Sequence, residues 1–474
     1  MSELPSSANI ELRSARSRSR NYPMYVFYVL FAISVLNSMD RYILTGAANV
    51  VAKELHLSID QIGYLSSAFI IFFTLSVLPF GIWSDRTKRK NVIAIAVGVW
   101  SVATVFTAFA TNFATLFLSR TVLGVGEAGY SPSSPAMMSD FFGRASRARI
   151  MGWWASAGLI GLMLGIILGG VVAGLYTGAW RLAFVFTGIP GLLLAFLAWR
   201  LREPRRNQAD DEERGVMVAT EGSTAAMPHS TGGLNKAWSQ LVALLRIKTV
   251  LVLIMVQIFT LFVTSGTVTY LSIFLQQKDT LNMTSAQAGL FSGVGIVLAG
   301  VVGVVLGGYL SDLLSRWYAG ARILICGLSF LLSAPAYIAS VLFAVNLHNL
   351  GLYTIAFVIT TILLNLSAGP SGAATQDVVP SSLRASAVAI SLFVGHILGD
   401  AFAPALIGNL ARSFDPTGAH FANNLAGHDL TMALIYTYPT SLVIAGIIGI
   451  IGARWLKADT EAAHRADMEA LKAQ

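Results

Sequence analysis

Twelve apolar runs, each long enough to cross a bilayer as a helix, constrain this chain more than any other feature. They lie near residues 24–51, 62–83, 92–110, 113–139, 150–175, 181–199, 249–275, 288–310, 323–345, 350–375, 385–411 and 431–455. A hydrocarbon core about 30 Å thick takes about 20 apolar residues in a helix, so the runs use roughly 300 residues and leave length for connections. In lipid every backbone amide must be satisfied internally, which leaves helices as the spanning structure for runs of this kind. The expected fold class is therefore an all-α integral membrane protein. Only 12% of the 474 residues are charged and 55% are hydrophobic, against roughly 25% charged in soluble domains. A soluble globular fold is excluded.

Six runs precede a polar stretch at 200–247 that contains Pro204, the acidic run 210–213 and a Gly/Ser/Thr patch. Such composition reads as a linker. Two pseudo-symmetric six-helix bundles are expected, at 24–199 and 248–456, with polar tails at 1–23 and 457–474. With the N-terminus placed inside, 26 of the 32 Lys and Arg fall in the tails, the linker and the connections on that side. Lys53, Arg181, Lys278 and Arg412 fall on the other side, and Arg41 and Arg120 fall inside spans. The positive-inside rule then puts both termini and the linker in the cytoplasm, with the cell (inner) membrane as the expected location. The net charge of +8 speaks of this topology, not of nucleic acid. The N-terminal segment has no signal-peptide pattern.

Ionisable residues within spans are functional candidates, because placing a charge there costs several kcal/mol. They are Asp40 and Arg41 in the first run, Arg120 and Glu127 in the fourth, and His396 and Asp400 in the eleventh. At about 1.5 Å per residue, Asp40 lies about 24 Å from the cytoplasmic end, Glu127 about 18 Å and Arg120 about 28 Å. Arg120 and Glu127, two turns apart, project from one face and can bracket a carboxylate from a neighbouring helix. Asp40 and Arg41 differ by about 100° around their helix, so at most one faces that cluster. A static ion pair that orients helices is one reading. The other is a proton site, since burial favours a neutral acid, a neighbouring arginine favours the carboxylate, and an arginine that changes partner then loads and releases a proton. His396 and Asp400, one turn apart, form a second candidate pair.

Cys326 is the single cysteine, so neither a disulfide nor a thiolate metal site is expected. Gly-Lys, H-E-x-x-H and G-x-S-x-G are all absent from the chain, and neither ATP hydrolysis nor enzyme catalysis is expected. No cofactor is implied. The glycines at Gly124, Gly126 and Gly129 fit a dinucleotide-binding string but lie inside an apolar run without a preceding strand, so they read as helix contacts beside Glu127. Gly158, Gly161, Gly165 and Gly169 form a small-residue face for packing. Pro132, Pro135 and the pair Gly369-Pro370 are expected kinks.

The two halves echo one another. Gly81-Ile-Trp-Ser-Asp85-Arg86-Thr87-Lys88-Arg89-Lys90 after the second run is matched by Gly308-Tyr-Leu-Ser-Asp312 after the eighth, and Asp140 with Arg147 by Asp377 with Arg384. The first of these resembles the loop motif of the major facilitator superfamily. By that resemblance Asp85, Arg86, Arg89, Asp140, Arg147, Asp312, Asp377 and Arg384 are expected to form a conformational latch, with a solvated positive-inside loop as the plainer alternative. Met39-Asp40-Arg41-Tyr42, the run from Gly124 through Glu127 to Ser131, and His396-Ile-Leu-Gly399-Asp400-Ala-Phe-Ala-Pro404 resemble the Spinster family of that superfamily. The resemblance implies a proton-coupled carrier of lysophospholipids or sphingosine-1-phosphate. It implies Asp40 and Glu127 as coupling carboxylates, Arg41 and Arg120 as their partners or headgroup contacts, and His396 with Asp400 as a second polar site. The expected partners are an amphipathic substrate, protons and the bilayer, with the protein a monomer. A carrier of small organic anions or drugs is the first alternative, and a membrane enzyme or scaffold the second.

Overall fold

The computed structural model describes residues 7–206, 208–209 and 242–472, so most of the expected linker, 210–241, lies outside the described residues. Six helices form the first half: α1 (Ser7–Glu54), α2 (Ile59–Arg86), α3 (Arg89–Thr107), α4 (Phe113–Phe141), α5 (Arg144–Ala173) and α6 (Trp180–Arg200). The second half contains α7 (Lys248–Leu275), α8 (Ser285–Ser315), α9 (Ala321–Val345), α10 (Leu350–Asn365), α11 (Ala368–Asp377), α12 (Arg384–Gly395), α13 (Phe402–Phe414), the one-turn α14 (Ala419–Ala422), α15 (Gly427–Gly452) and α16 (Leu456–Lys472). Among the described residues there is no strand. Joined as the chain joins them, α10 with α11 and α12 with α13 each make one span, giving twelve.

Eleven of these spans are long and apolar enough to cross a bilayer by composition alone. The twelfth is α4, whose Arg120, Glu127 and Gly/Ser/Pro content lower its hydropathy. Large apolar side chains such as Leu78, Phe106, Phe109 and Tyr309 are 65–70% exposed, as expected where lipid replaces protein contacts.

Small residues set the helix contacts. A methyl group added to Gly161, Gly165 or Gly169 of α5 would strike the backbone of Val35, Met39 and Ile43 on α1, the close approach that association without a hydrophobic driving force requires. The halves meet along two seams, α5 on α8 and α2 on α13, and α1 also reaches α7 and α8. At the first seam a Cβ on Gly170 would sit 2.6 Å from the Ser285 carbonyl oxygen and 2.9 Å from the Gly289 Cα.

The structure adds detail to three sequence expectations and adjusts one. The tail at 1–23 is helical from Ser7, where α1 begins, and the helix runs on through Pro23. The tail after 456 is helical as well, forming α16 (Leu456–Lys472). The expected kink at Gly369-Pro370 falls at Leu366 and Ser367, between α10 and α11, because a proline ring disrupts the carbonyl four residues before it. Finally, α4 is continuous through Pro132 and Pro135.

The hydrogen bonds between the halves lie away from the side that carries both termini. Asn49 Nδ2 donates to Gln276 Oε1 and to Asn424 Oδ1, both at 3.2 Å, and Tyr64 Oη donates to Asn409 Oδ1 at 2.6 Å. On the terminal side, ion pairs among the described residues stay within one half. The conformation is closed on the far side.

Candidate functional site

Consecutive residues of α1 serve opposite faces. Arg41 faces α4, where its Nε and Nη2 donate to Glu127 Oε2 at 3.2 and 2.9 Å. Its guanidinium lies 4.8 and 4.7 Å from the ring centres of Phe69 and Phe73 on α2. Glu127 Oε1, sealed from solvent, has no hydrogen bond. Asp40 turns away from this pair and is fully enclosed. Neither of its oxygens makes a hydrogen bond of ordinary geometry, and the nearest hydroxyls belong to Thr187 on α6 and Thr104 on α3.

Arg120, two turns before Glu127 on α4, donates from Nη1 to the Asp40 backbone oxygen at 3.3 Å and stacks 5.4 Å from the Phe184 ring centre. Its Nε and Nη2 have no partner. The expected carboxylate bracketed by Arg120 and Glu127 is therefore replaced by an arginine, because the phase of α1 presents Arg41 and not Asp40 to Glu127.

The second half contributes His396 and Asp400, whose side chains join through Nδ1 and Oδ2 at 2.9 Å. They lie on a π-helical turn, closed by the Ala401 N–H to the His396 oxygen at 2.8 Å. Such turns concentrate at functional sites. The Ser265 hydroxyl of α7 donates to the Asp400 carbonyl at 2.8 Å.

A cavity of about 190 Å³ joins these groups. Arg41, Tyr42 and Arg120 line it from the first half, His396 and Asp400 from the second, and Leu65, Phe69, Leu261 and Val268 supply apolar wall. Asp40 and Glu127 stand behind their arginines and are absent from the lining. A larger cavity of about 670 Å³, between α8 and α10, contains none of the six charged residues. We take the smaller one as the site because chemistry, not volume, distinguishes it.

The residues expected to form a latch divide into two groups. Arg89, at the start of α3, pairs with Asp140 at the end of α4 and donates to the Ala136 oxygen at 3.1 Å. Arg147 donates to the Ser139 and Phe142 oxygens, and Arg384 to the Val379 oxygen at 3.3 Å. Asp377 pairs with Arg322. In contrast, Asp85, Arg86 and Asp312 are exposed and make no side-chain ion pair among the described residues. Arg322 is a partner the sequence reading missed. The signal was available: Arg322 occupies the first turn of α9 as Arg89 occupies that of α3.

Also missed were three acids that cap backbone across elements. Glu203 accepts from the N–H groups of Arg89 and Lys90 at 2.7 and 3.0 Å, Asp459 from that of Thr249 at 2.9 Å, and Asp467 from the N–H and hydroxyl of Ser381. None lies in a motif, so tertiary contact alone reveals them.

Residues 30–404 match the family profile of the Major Facilitator Superfamily. The chain belongs to that superfamily. Among relatives of this transporter, the protein spinster of Drosophila melanogaster is 28% identical over 428 residues, covering 86% of this chain and 65% of that protein. The chain thus spans slightly under two thirds of that relative. The sphingosine-1-phosphate transporter SPNS2 of Danio rerio is 28% identical over 413 residues, covering 84% and 78%. A bacterial homologue of the human lysosomal transporter Spinster, solved inward-facing and unoccupied, superimposes with a TM-score of 0.74 at 24% identity, covering 94% of this chain and 98% of that one. The chain is a multi-pass membrane transporter of the Major Facilitator Superfamily, similar in sequence to Spinster proteins.

Proposed function

We propose that this transporter is a proton-coupled secondary carrier that moves an amphipathic, anionic lysolipid by alternating access, with both termini in the cytoplasm. The observation that carries the reading is Arg120, a buried guanidinium at the cavity with two nitrogens unpartnered. Buried donors without acceptors cost free energy until a ligand supplies them, and a phosphate or carboxylate matches a guanidinium fork. Arg41 stands beside it, held by Glu127. A proton on Glu127 would weaken that hold and free Arg41 for the same anion, which links proton and substrate without contact between them.

A specific observation favours a second reading. A cavity of about 190 Å³ encloses a headgroup but not an acyl chain, so a small organic anion would fit whole whereas a lysolipid tail would lie between helices. Counterflow in proteoliposomes with labelled lysophosphatidic acid, sphingosine-1-phosphate and short-chain organic phosphates separates the two. The lysolipid reading expects saturable exchange of the lipids, accelerated by an imposed pH gradient. Exchange of the short-chain phosphates alone would refute it.

A further inference from the structure

Beside the Tyr64–Asn409 bond, the far-side seal contains a part-buried polar contact that belongs to an irregular connection. Asn424, left-handed at φ 65°, lies between α14 and α15. Its Oδ1 accepts from Asn49 of α1 in the other half, its Nδ2 donates to the Gln276 oxygen at 3.0 Å, and its carbonyl accepts the Lys278 N–H at 2.8 Å. Asn49 and Gln276 are both buried. The two Asn49 N–H groups thus find their acceptors only while the halves are together, and separation on this side breaks both bonds.

What holds Asn424 in position is a lash of charged groups at the rim. His420, exposed on α14, donates from Nδ1 to Asp429 Oδ2 at 2.9 Å. Its backbone N–H donates to Asp415 Oδ2 at 2.8 Å, and its carbonyl accepts from the Leu425 N–H, next to Asn424, at 2.7 Å. Asp279, on the connection after α7, caps α15 through the Gly427 and His428 N–H groups. Arg412 of α13 lies against Gly418. The acids facing His420 are therefore Asp429, Asp415 and Asp279, with Arg412 the nearby cation.

We propose that Asn424 is the positioning residue that closes the far side, and that the pair of His420 with Asp429 holds its loop so that the closure loosens when His420 gives up its proton. The inference rests on the alternating-access reading. Hydrogen bonding to Asp429 and that residue's charge raise His420 above its ordinary value near 6.5, with burial working against and Asp415 and Asp279 adding. A group raised on folding contributes fully below its ordinary value and loses that contribution as pH rises through the raised one. The closure is thus firm below the ordinary histidine value and weakens as pH rises through the raised one.

Spin labels on Lys53→Cys with Leu347→Cys report the far side, and on Lys88→Cys with Arg316→Cys the terminal side, in the full chain, where Cys326 is buried. Between about pH 5.5 and about pH 8.5 the unsubstituted His420 protein should gain a longer far-side distance component, rising about threefold or more. His420→Gln should show that component at both pH values, and so should Asn424→Ala. A far side that ignores pH, a pH response that survives His420→Gln, or an Asn424→Ala protein identical to its parent would each overturn the proposal. If neither side changes distance at any pH or with ligand, alternating access itself is refuted and the proposal falls with it.

Discussion

At the scale of single residues, the site is two arginines with an acid behind each, and the acids differ in what they hold. Glu127 is fully buried and tied to Arg41. Removing Arg41 as Arg41→Ala leaves a buried carboxylate without its cation and should cost about 3–5 kcal/mol of stability. Arg41→Ala combined with Glu127→Gln should recover most of that loss, and thermal unfolding in detergent measures both. Arg120→Ala removes the unpartnered donors and should weaken substrate binding about 10–100-fold with little change in melting temperature, read by titration of purified protein. For coupling, Asp40→Asn should abolish acceleration by a pH gradient while counterflow persists. Glu127→Gln should release Arg41 at every pH, so it too should lose acceleration by a pH gradient, and its change in substrate affinity passes through the arginine because Glu127 does not line the cavity. Full gradient dependence in both variants would show that neither carboxylate couples transport to protons.

At the scale of elements, glycine positions separate contact from spacing. Gly161, Gly165 and Gly169 sit against α1 backbone, whereas a Cβ on Gly158 would meet nothing nearer than Ser38 Oγ at 3.7 Å. Gly165→Val should therefore abolish recovery of monodisperse protein, and Gly158→Ala should be neutral, both checked by size-exclusion chromatography. The periodic small-residue face was legible in the sequence. Which of its four members touch backbone was not, because the rotation of α5 against α1 decides it. The same holds for the break at Leu366 and Ser367. Proline chemistry fixes its offset from Pro370, but a sequence reading places the bend at the proline.

At the scale of the molecule, alternating access requires contacts that exist in one state and not in the other. Asp85 and Asp312 carry the loop echo yet are exposed, and their carboxylates make no ion pair among the described residues in the conformation closed on the far side. A carboxylate that holds no cation here can act through its charge in the opposite state. Asp85→Asn and Asp312→Asn should therefore shift the population toward the far-side-closed form, seen as a shorter far-side and longer terminal-side distance between spin labels. Unaltered distributions would remove them from the latch. Arg322→Ala breaks a pair formed within one half, at Asp377, and should affect that half's terminal end in both states. The charge asymmetry carries its own test: reporter fusions at residue 474 should be active only on the cytoplasmic side, and an external C-terminus would overturn the twelve-span topology.

The sequence by itself determined the span count, the doubling into halves and the six charged residues in the membrane. It could do so because desolvation cost makes every apolar run a helix and every intramembrane charge an exception. Even α4, less apolar than the other eleven spans, is legible as the apolar run 113–139. Only the tertiary structure decided that Arg41 and not Asp40 meets Glu127, that both acids stand behind the cavity wall, that Arg322 partners Asp377, and that Asn424 joins the halves. Each of these depends on the rotation of one helix about its axis or on the path of a loop. Those are set by side-chain contacts between segments up to 375 residues apart in sequence, which no local pattern encodes.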